Sequence, residues 1–308
     1  MEPTNIIWQN GRYIPWAQAM THVLSHGLHY GTGVFEGIRF YHTAQGPAIF
    51  KLREHVARLF YSASAIGMTL PFSIEQIEQA IIETVNRNQV EAGYIRPIAY
   101  FGYGSMKVTP SKDMPVDVVI ACWPWGSYLT AEAVDIKVSE FIRIHPKSTV
   151  ADAKICGHYV NSLLAGQAIQ GTHYHEALLL DMEGYVAEGS AENIFIVKDG
   201  VIYTTPLGTI LDGITRQTVI EIAQQFGHTV KECRFLPQDI QQADEAFFCG
   251  TAVEVTPIRS LDDCVIANGK PGQVTLSIQA AYQDIVHARH VDYYRALTFV
   301  NGVKEEQS

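Results

Sequence analysis

Basic charge is scarce in this chain: 22 Lys and Arg stand against 32 Asp and Glu over 308 residues, a formal net charge of -10. The basic residues are scattered, so no patch answers to a nucleic acid, and small molecules are the expected partners. Long apolar runs are also missing. No uninterrupted stretch approaches the roughly 20 residues that span a bilayer, and the opening residues, with Trp8, Gln9 and Asn10, read against a secretory leader. These absences predict a cytoplasmic protein with no membrane partner. Cysteine is sparse and unpatterned. Cys122, Cys156, Cys233, Cys249 and Cys264 are odd in number and show no Cys-x-x-Cys spacing, which argues against both a disulfide framework and a zinc ribbon. Repeats and low-complexity segments are absent as well.

What is present is enough chain for two cores, since 308 residues exceeds the size at which single cores stop growing. Ile6 to Trp16 reads as a β-hairpin around Asn10-Gly11, whose residues accept the positive φ of a tight turn. Residues 51–66 place Leu52, Val56, Leu59, Phe60 and Ala63 on one helical face, and residues 74–90 do so with Ile74, Ile77, Ile81, Ile82 and Val85. Ser73 and Gln76 form a capping-box signature at the second helix. Tyr94–Tyr103 and Val116–Trp123 are rich in β-branched and aromatic residues and read as strands.

A link over 126–133 divides a small N-terminal α+β domain, 1–125, from a larger domain, 134–308. In the latter, strands are expected at Val134–Ile144, Glu176–Asp181, Ile194–Val197, Val201–Thr204 and Glu245–Cys249, and helices from near His158, at Thr215–Phe226 and at Val274–His287. The alternation is too mixed for a doubly wound parallel sheet. Periodicity alone supports two mixed α/β domains.

Chemistry concentrates in four ordered stretches: Ala153-Lys154, the run Glu188-Gly189-Ser190-Ala191-Glu192-Asn193, the segment Gly213-Ile214-Thr215-Arg216, and Gly250-Thr251-Ala252-Val253-Glu254-Val255-Thr256-Pro257. They supply an amine, an acid, a helix start able to hold an anion, and a second small-residue turn. Upstream lie Leu28 to Gly37 and Tyr94-Ile95-Arg96-Pro97. In this order the set resembles the branched-chain amino acid aminotransferases, a pyridoxal-phosphate-dependent family of fold-type IV, and the resemblance covers nearly the whole chain.

The resemblance implies a two-domain mixed α/β fold of that type, with pyridoxal 5'-phosphate as coenzyme. Lys154 becomes the residue that forms an imine with the coenzyme aldehyde and then moves the substrate α-proton. Glu188 becomes the acid that keeps the ring nitrogen protonated. Glu192 is its competitor, but Asn193 leads directly into a strand, so Glu192 and Asn193 read as loop-fixing residues. Arg58, Ile214, Thr215 and Thr251 match the phosphate site, and Tyr159 matches the residue at the ring hydroxyl. Phe35, Trp125 and Tyr128 match aromatic walls for a branched side chain. Tyr94, Thr251 and Ala252 match the α-carboxylate site, and Arg96, on the strand face of Tyr94, becomes the cation for a glutamate side chain. Tyr30 and Val108 match positions contributed across a dimer interface.

The implied reaction moves the amino group of L-leucine, L-isoleucine or L-valine to 2-oxoglutarate, giving L-glutamate and a branched-chain 2-oxo acid, in a homodimer or higher homo-oligomer that serves amino-acid biosynthesis. Two activities on the same fold stay open, a D-amino-acid aminotransferase and an aminodeoxychorismate lyase. From another class, His22, His26 and His29 would share one face of a helix and suggest a His-rich metal-binding protein; Gly27, Gly31 and Gly33 argue against that helix, so no metal is expected. His173 and His175 read as loop histidines.

Overall fold

A computed structural model of the chain describes residues 2–126 and 131–302. The contacts divide the chain into two units. The first runs up to Gly126 and takes in Ala153–Gly157 and the chain from Asp284 onward; the second holds the remainder.

In the first unit the chain forms β1 (Ile6–Gln9), β2 (Arg12–Pro15), α1 (His26–Tyr30), β3 (Gly33–Phe35), β4 (Ile38–Thr43), β5 (Gly46–Phe50), α2 (Leu52–Ala65), α3 (Ile74–Asn88), β6 (Gly93–Phe101) and β7 (Val116–Trp123). The described strands make an eight-stranded sheet in the order Leu297–Phe299, β5, β4, β6, β7, β1, β2, with β3 also paired to β6. The expected hairpin is β1–β2, with Asn10 and Gly11 at φ of 49° and 85°. The capping box also forms: Gln76 N donates to Ser73 Oγ at 3.2 Å, and Ser73 N donates to Gln76 Oε1 at 2.8 Å. The apolar faces of α2 and α3 enter one core with Ile38, Phe40, Ile95, Val118 and Ile120.

The lysine segment packs in this unit. Phe35 N donates to Lys154 O at 3.1 Å, Gly157 N donates to Gly31 O at 3.1 Å, and Ile155 bridges to Val34. The sequence division put Lys154 in the C-terminal domain; instead the open edge of short β3 supplies the backbone partners that residues 153–157 need.

The second unit contains β8 (Val134–Val138), α4 (Tyr159–Ile169), β9 (Glu176–Leu180), β10 (Val186–Gly189), β11 (Asn193–Lys198), β12 (Val201–Thr204), α5 (Ile214–Gln225), β13 (Val230–Glu232), α6 (Pro237–Gln241), β14 (Glu245–Gly250), β15 (Glu254–Leu261) and β16 (Cys264–Val265). The described strands form a nine-stranded sheet in the order β10, β9, β8, β15, β14, β11, β12, β13, with β16 on β15. Parallel pairing joins β8 to β9 and to β15, and β12 to β13; the other pairs are antiparallel. Ile194, Ile196, Phe248 and Ile258 lie in its core.

Two boundaries differ from the sequence reading. The strand expected over 134–144 stops at Val138, and Ser139 Oγ accepts from Phe141 N at 3.0 Å, a local bond that competes with the ladder. Glu188, which lay outside the expected strands, stands in β10, where the pairing with β9 slips between Val186 and Glu188. Such a bulge re-aims the side chain that follows it.

Candidate active site

Each unit carries its own set of groups. In the first, Lys154 is half-buried, with its Nζ 5.1 Å from the Phe35 ring centroid. Its amide donates to Ser62 Oγ at 2.9 Å, which ties the segment to α2 as well as to β3. Arg58, also on α2, turns inward: Nε donates to Glu36 Oε1 at 2.6 Å and Nη2 to Glu36 Oε2 at 2.9 Å. His55, one turn earlier, places Nδ1 2.7 Å from Glu36 Oε2. An ionised carboxylate only accepts, so Nδ1 carries the hydrogen. Burial pushes the Glu36 carboxyl up, but the Arg58 charge and the bonds from His55 and Arg58 outweigh it and hold the group well below the usual carboxylate range. Burial drives His55 below its ordinary value, more strongly than Glu36 raises it.

Tyr94 and Arg96 share a face of β6, as their alternation requires, and Arg96 Nη2 donates to Tyr94 Oη at 3.4 Å. The Arg96 guanidinium carbon lies 4.7 Å from the Phe35 centroid, and its buried Nε has no hydrogen-bond partner. The Tyr94 ring meets Trp125 edge-on at 4.3 Å. Arg96, Trp123, Pro124 and Trp125 line a cavity of about 860 Å³. Gly37 makes room for this wall, because a Cβ there would sit 1.8 Å from Tyr94 Oη. Tyr128 lies outside the described residues.

Tyr30 and Val108 do not line this cavity; both are exposed, as are Met20, Val23, Leu28, Tyr103 and Met106. The two segments are joined: Tyr30 Oη donates to Met106 O at 2.9 Å, and His26 Nε2 lies 3.0 Å from Lys107 O. The histidine trio has local partners. Besides the Lys107 carbonyl, His26 meets Thr32 Oγ1 at 2.7 Å, His29 meets Val23 O at 2.8 Å, and His22 Nδ1 accepts from Leu24 N at 3.1 Å. The helix there is only His26–Tyr30, closed by Gly31 in the left-handed region. Among the described residues no group of His, Cys, Asp or Glu could hold a metal ion.

In the second unit Glu188 is buried and accepts hydrogen bonds at both carboxylate oxygens. Oε1 accepts from Arg143 Nε at 2.6 Å, and Oε2 accepts from Asn193 Nδ2 at 3.2 Å and Leu211 N at 3.1 Å. Arg143 is itself buried and also donates to Ala151 O at 3.3 Å. Glu192 Oε2 accepts from Ala191 N at 3.0 Å. Asn193 donates both to Glu188 and to Leu211 O at 3.0 Å, so what it orients is the acid itself.

Helix α5 starts at Ile214 behind Gly213, has no acidic residue in its first turn, and buries Ile214 and Thr215. Its first amides therefore carry the partial positive charge of a helix N-terminus. Gly213 is required there, since a Cβ would come within 2.0 Å of Asn193 Oδ1. Thr251 and Ala252 form the half-buried turn between β14 and β15, and Tyr159 is the half-buried first residue of α4.

Sequence reasoning missed Glu36, His55 and Arg143. The first two lay inside segments already singled out, next to Phe35 and Arg58. Arg143 had no local signal, being 45 residues from Glu188.

Residues 33–261 match the family described as amino-transferase class IV. A Pseudomonas aeruginosa branched-chain-amino-acid aminotransferase is 46% identical over 288 residues, covering 92% of this chain and 94% of that protein. The protein of the same name from Escherichia coli (strain K12) is 40% identical over 300 residues, covering 96% and 97%. The solved T.th. branched-chain amino acid aminotransferase, complexed with N-(5'-phosphopyridoxyl)-L-glutamate, superposes with a TM-score of 0.94 at 45% identity, covering 97% of this chain and 99% of that one. The chain belongs to the class IV aminotransferases and, within them, to the branched-chain amino acid aminotransferase family.

Proposed function

We propose that the protein is a pyridoxal-phosphate-dependent transaminase that moves the amino group of L-leucine, L-isoleucine or L-valine to 2-oxoglutarate. The observation that carries this reading is the Arg96 guanidinium, stacked over Phe35 with a buried Nε left without a partner, beside the cavity wall of Trp123 and Trp125, against which the Tyr94 ring packs. An apolar wall accepts a branched side chain, and a cation at its margin accepts the second carboxylate of glutamate.

The donor sets suit the coenzyme. A buried carboxylate, kept company by a buried guanidinium, fits a protonated ring nitrogen, and an acid-free helix start behind a required glycine fits a phosphate. Pyridoxal 5'-phosphate supplies an electron-accepting ring that carries the substrate nitrogen when bound. In this reading Lys154 attaches the coenzyme and moves the α-proton, Glu188 holds the ring-nitrogen proton, and Tyr159 meets the ring hydroxyl. Arg58, Ile214, Thr215 and Thr251 hold the phosphate. Tyr94 with the amides of Thr251 and Ala252 takes the α-carboxylate common to both substrates, while Arg96 takes the side-chain carboxylate that leucine lacks.

The exposed Tyr30 and Val108, on segments joined by the bond from Tyr30 Oη to Met106 O, support a homo-oligomer, because neighbouring exposed apolar side chains mark interaction sites. A cytoplasmic setting is supported by five cysteines that remain free thiols. Among the described residues no helix is long and apolar enough to cross a membrane.

A panel of half-reactions tests the substrate assignment: coenzyme-loaded protein is mixed with single L- and D-amino acids and the loss of its visible absorbance band is recorded. Branched L-amino acids and L-glutamate should discharge the band. A response confined to D-amino acids would overturn the reading.

A further inference from the structure

The strongest feature without a role so far is the buried pair Glu36 and His55, which meets Arg58. Glu36 is wholly buried in the short connection between β3 and β4, and its backbone amide donates to Pro97 O at 2.9 Å on β6. Its position is therefore set by the sheet. His55 and Arg58 stand three residues apart on α2 and so face the same way. Arg58 is the only member with appreciable exposure, its side chain being 11% accessible against 1% for His55 and 0% for Glu36.

The pairing is specific about edges. A guanidinium has five N–H donors in one plane, and Glu36 takes Nε–H and one Nη2–H, which lie together on one edge. An oxyanion on Arg58 would therefore meet the end of the fork, where the second Nη2 hydrogen and the Nη1 hydrogens point. The Nδ1–H of His55 occupies Glu36 Oε2 from a third direction and stops the carboxylate from rotating away. A flexible arginine is thereby aimed by two buried groups anchored in sheet and helix.

We infer that Glu36 and His55 are positioning residues that aim Arg58 at the coenzyme phosphate, an inference that rests on the phosphate role proposed above for Arg58. A carboxylate this close offsets part of the arginine's charge, so its value to phosphate binding lies in fixed direction. Side chains held before the ligand arrives lose less freedom on binding.

The test compares pyridoxal 5'-phosphate with pyridoxal, which lacks the phosphate, each titrated onto wild-type protein, Glu36→Gln, Arg58→Ala and the double variant, with affinity read from the absorbance band of the Lys154-bound form. Glu36→Gln should weaken pyridoxal 5'-phosphate about tenfold or more, leave pyridoxal within about twofold, and add nothing further in the Arg58→Ala background. Equal weakening of both ligands, unchanged affinity for both, or full additivity with Arg58→Ala would overturn the inference. Should Glu36→Gln fail to fold, His55→Asn, which keeps a donor near Nδ1, should hold wild-type discrimination between the two ligands, and His55→Phe should lose it; equal behaviour of the two would overturn it. If Arg58→Ala itself leaves the discrimination intact, the phosphate role of Arg58 fails, and that result is separate from one in which Arg58→Ala abolishes it while Glu36→Gln does not.

Discussion

Arg143 Nε donates to Glu188 Oε1 at 2.6 Å, and both side chains are buried in the second unit. The pair explains how a carboxylate can stay charged away from water, because the guanidinium offsets much of the charge and two further donors occupy the other oxygen. Removing one partner would strand the other. Arg143→Leu should therefore lower unfolding stability by about 3–5 kcal/mol in urea titration, and the double variant Arg143→Leu with Glu188→Leu should recover part of that loss. A single-variant cost below about 1 kcal/mol would show that the pair is solvated in solution.

Glu188 also has a kinetic signature. Glu188→Gln should leave coenzyme affinity near wild type and slow α-proton removal, measured with α-deuterated leucine in single turnovers. A wild-type rate would reject its place at the ring nitrogen.

Lys154 should be the attachment point. Borohydride reduction of the loaded protein followed by peptide mapping should mark the peptide that contains Lys154, and a mark on another lysine would end the assignment. Lys154→Ala should retain the coenzyme without a covalent link and lose turnover by at least the roughly 10²- to 10⁴-fold typical of general-base proton transfer.

Arg96 should separate the two half-reactions. Arg96→Met removes the cation stacked on Phe35, so the glutamate and 2-oxoglutarate half-reaction should lose about 1.5–3 kcal/mol, or roughly 10- to 150-fold, while the leucine half-reaction changes much less. Equal losses would place Arg96 on the carboxylate that both substrates share.

The Glu36–His55 pair predicts an acid-side loss of stability. Both groups have lowered values in the folded protein, so the unfolded chain binds more protons and stability rises with pH. The His55 contribution is whole above its unfolded value of about 6.5 and fades as pH falls below it; the Glu36 contribution is whole above about 4.3 and fades below that. Urea midpoints measured between pH 7.5 and 5 should decline in wild type and decline less in His55→Asn. Identical slopes would mean that His55 is not buried as a neutral ring.

Much of the fold was legible because it depends on local pattern. Asn10-Gly11 dictated the first hairpin, Ser73 and Gln76 the start of α3, and the apolar spacing of α2 and α3 their buried faces. The short strands β3, β4, β5 and β10 were not legible, since their residues are buried without clean alternation, and β3 and β4 also take a partner, β6, that lies far along the chain. The same distance hid Arg143 from Glu188, and left Tyr30 and Val108 as matches whose exposure only the structure revealed.

The stretches around Lys154, Glu188, Thr215 and Thr251, together with Leu28 to Gly37 and Tyr94 to Pro97, were enough to show a resemblance to the family, because each is a local run of residues that can be read before the chain folds. Tertiary structure alone decided where those groups are held: Lys154 on the edge of β3 in the first unit, Glu188 re-aimed by a bulge and clasped by Arg143 and Asn193, Arg58 aimed by Glu36 and His55. Each of these rests on backbone pairing or a buried charge whose partner lies elsewhere in the sequence, and such partners are chosen when the chain closes on its core, after local propensity has said all it can.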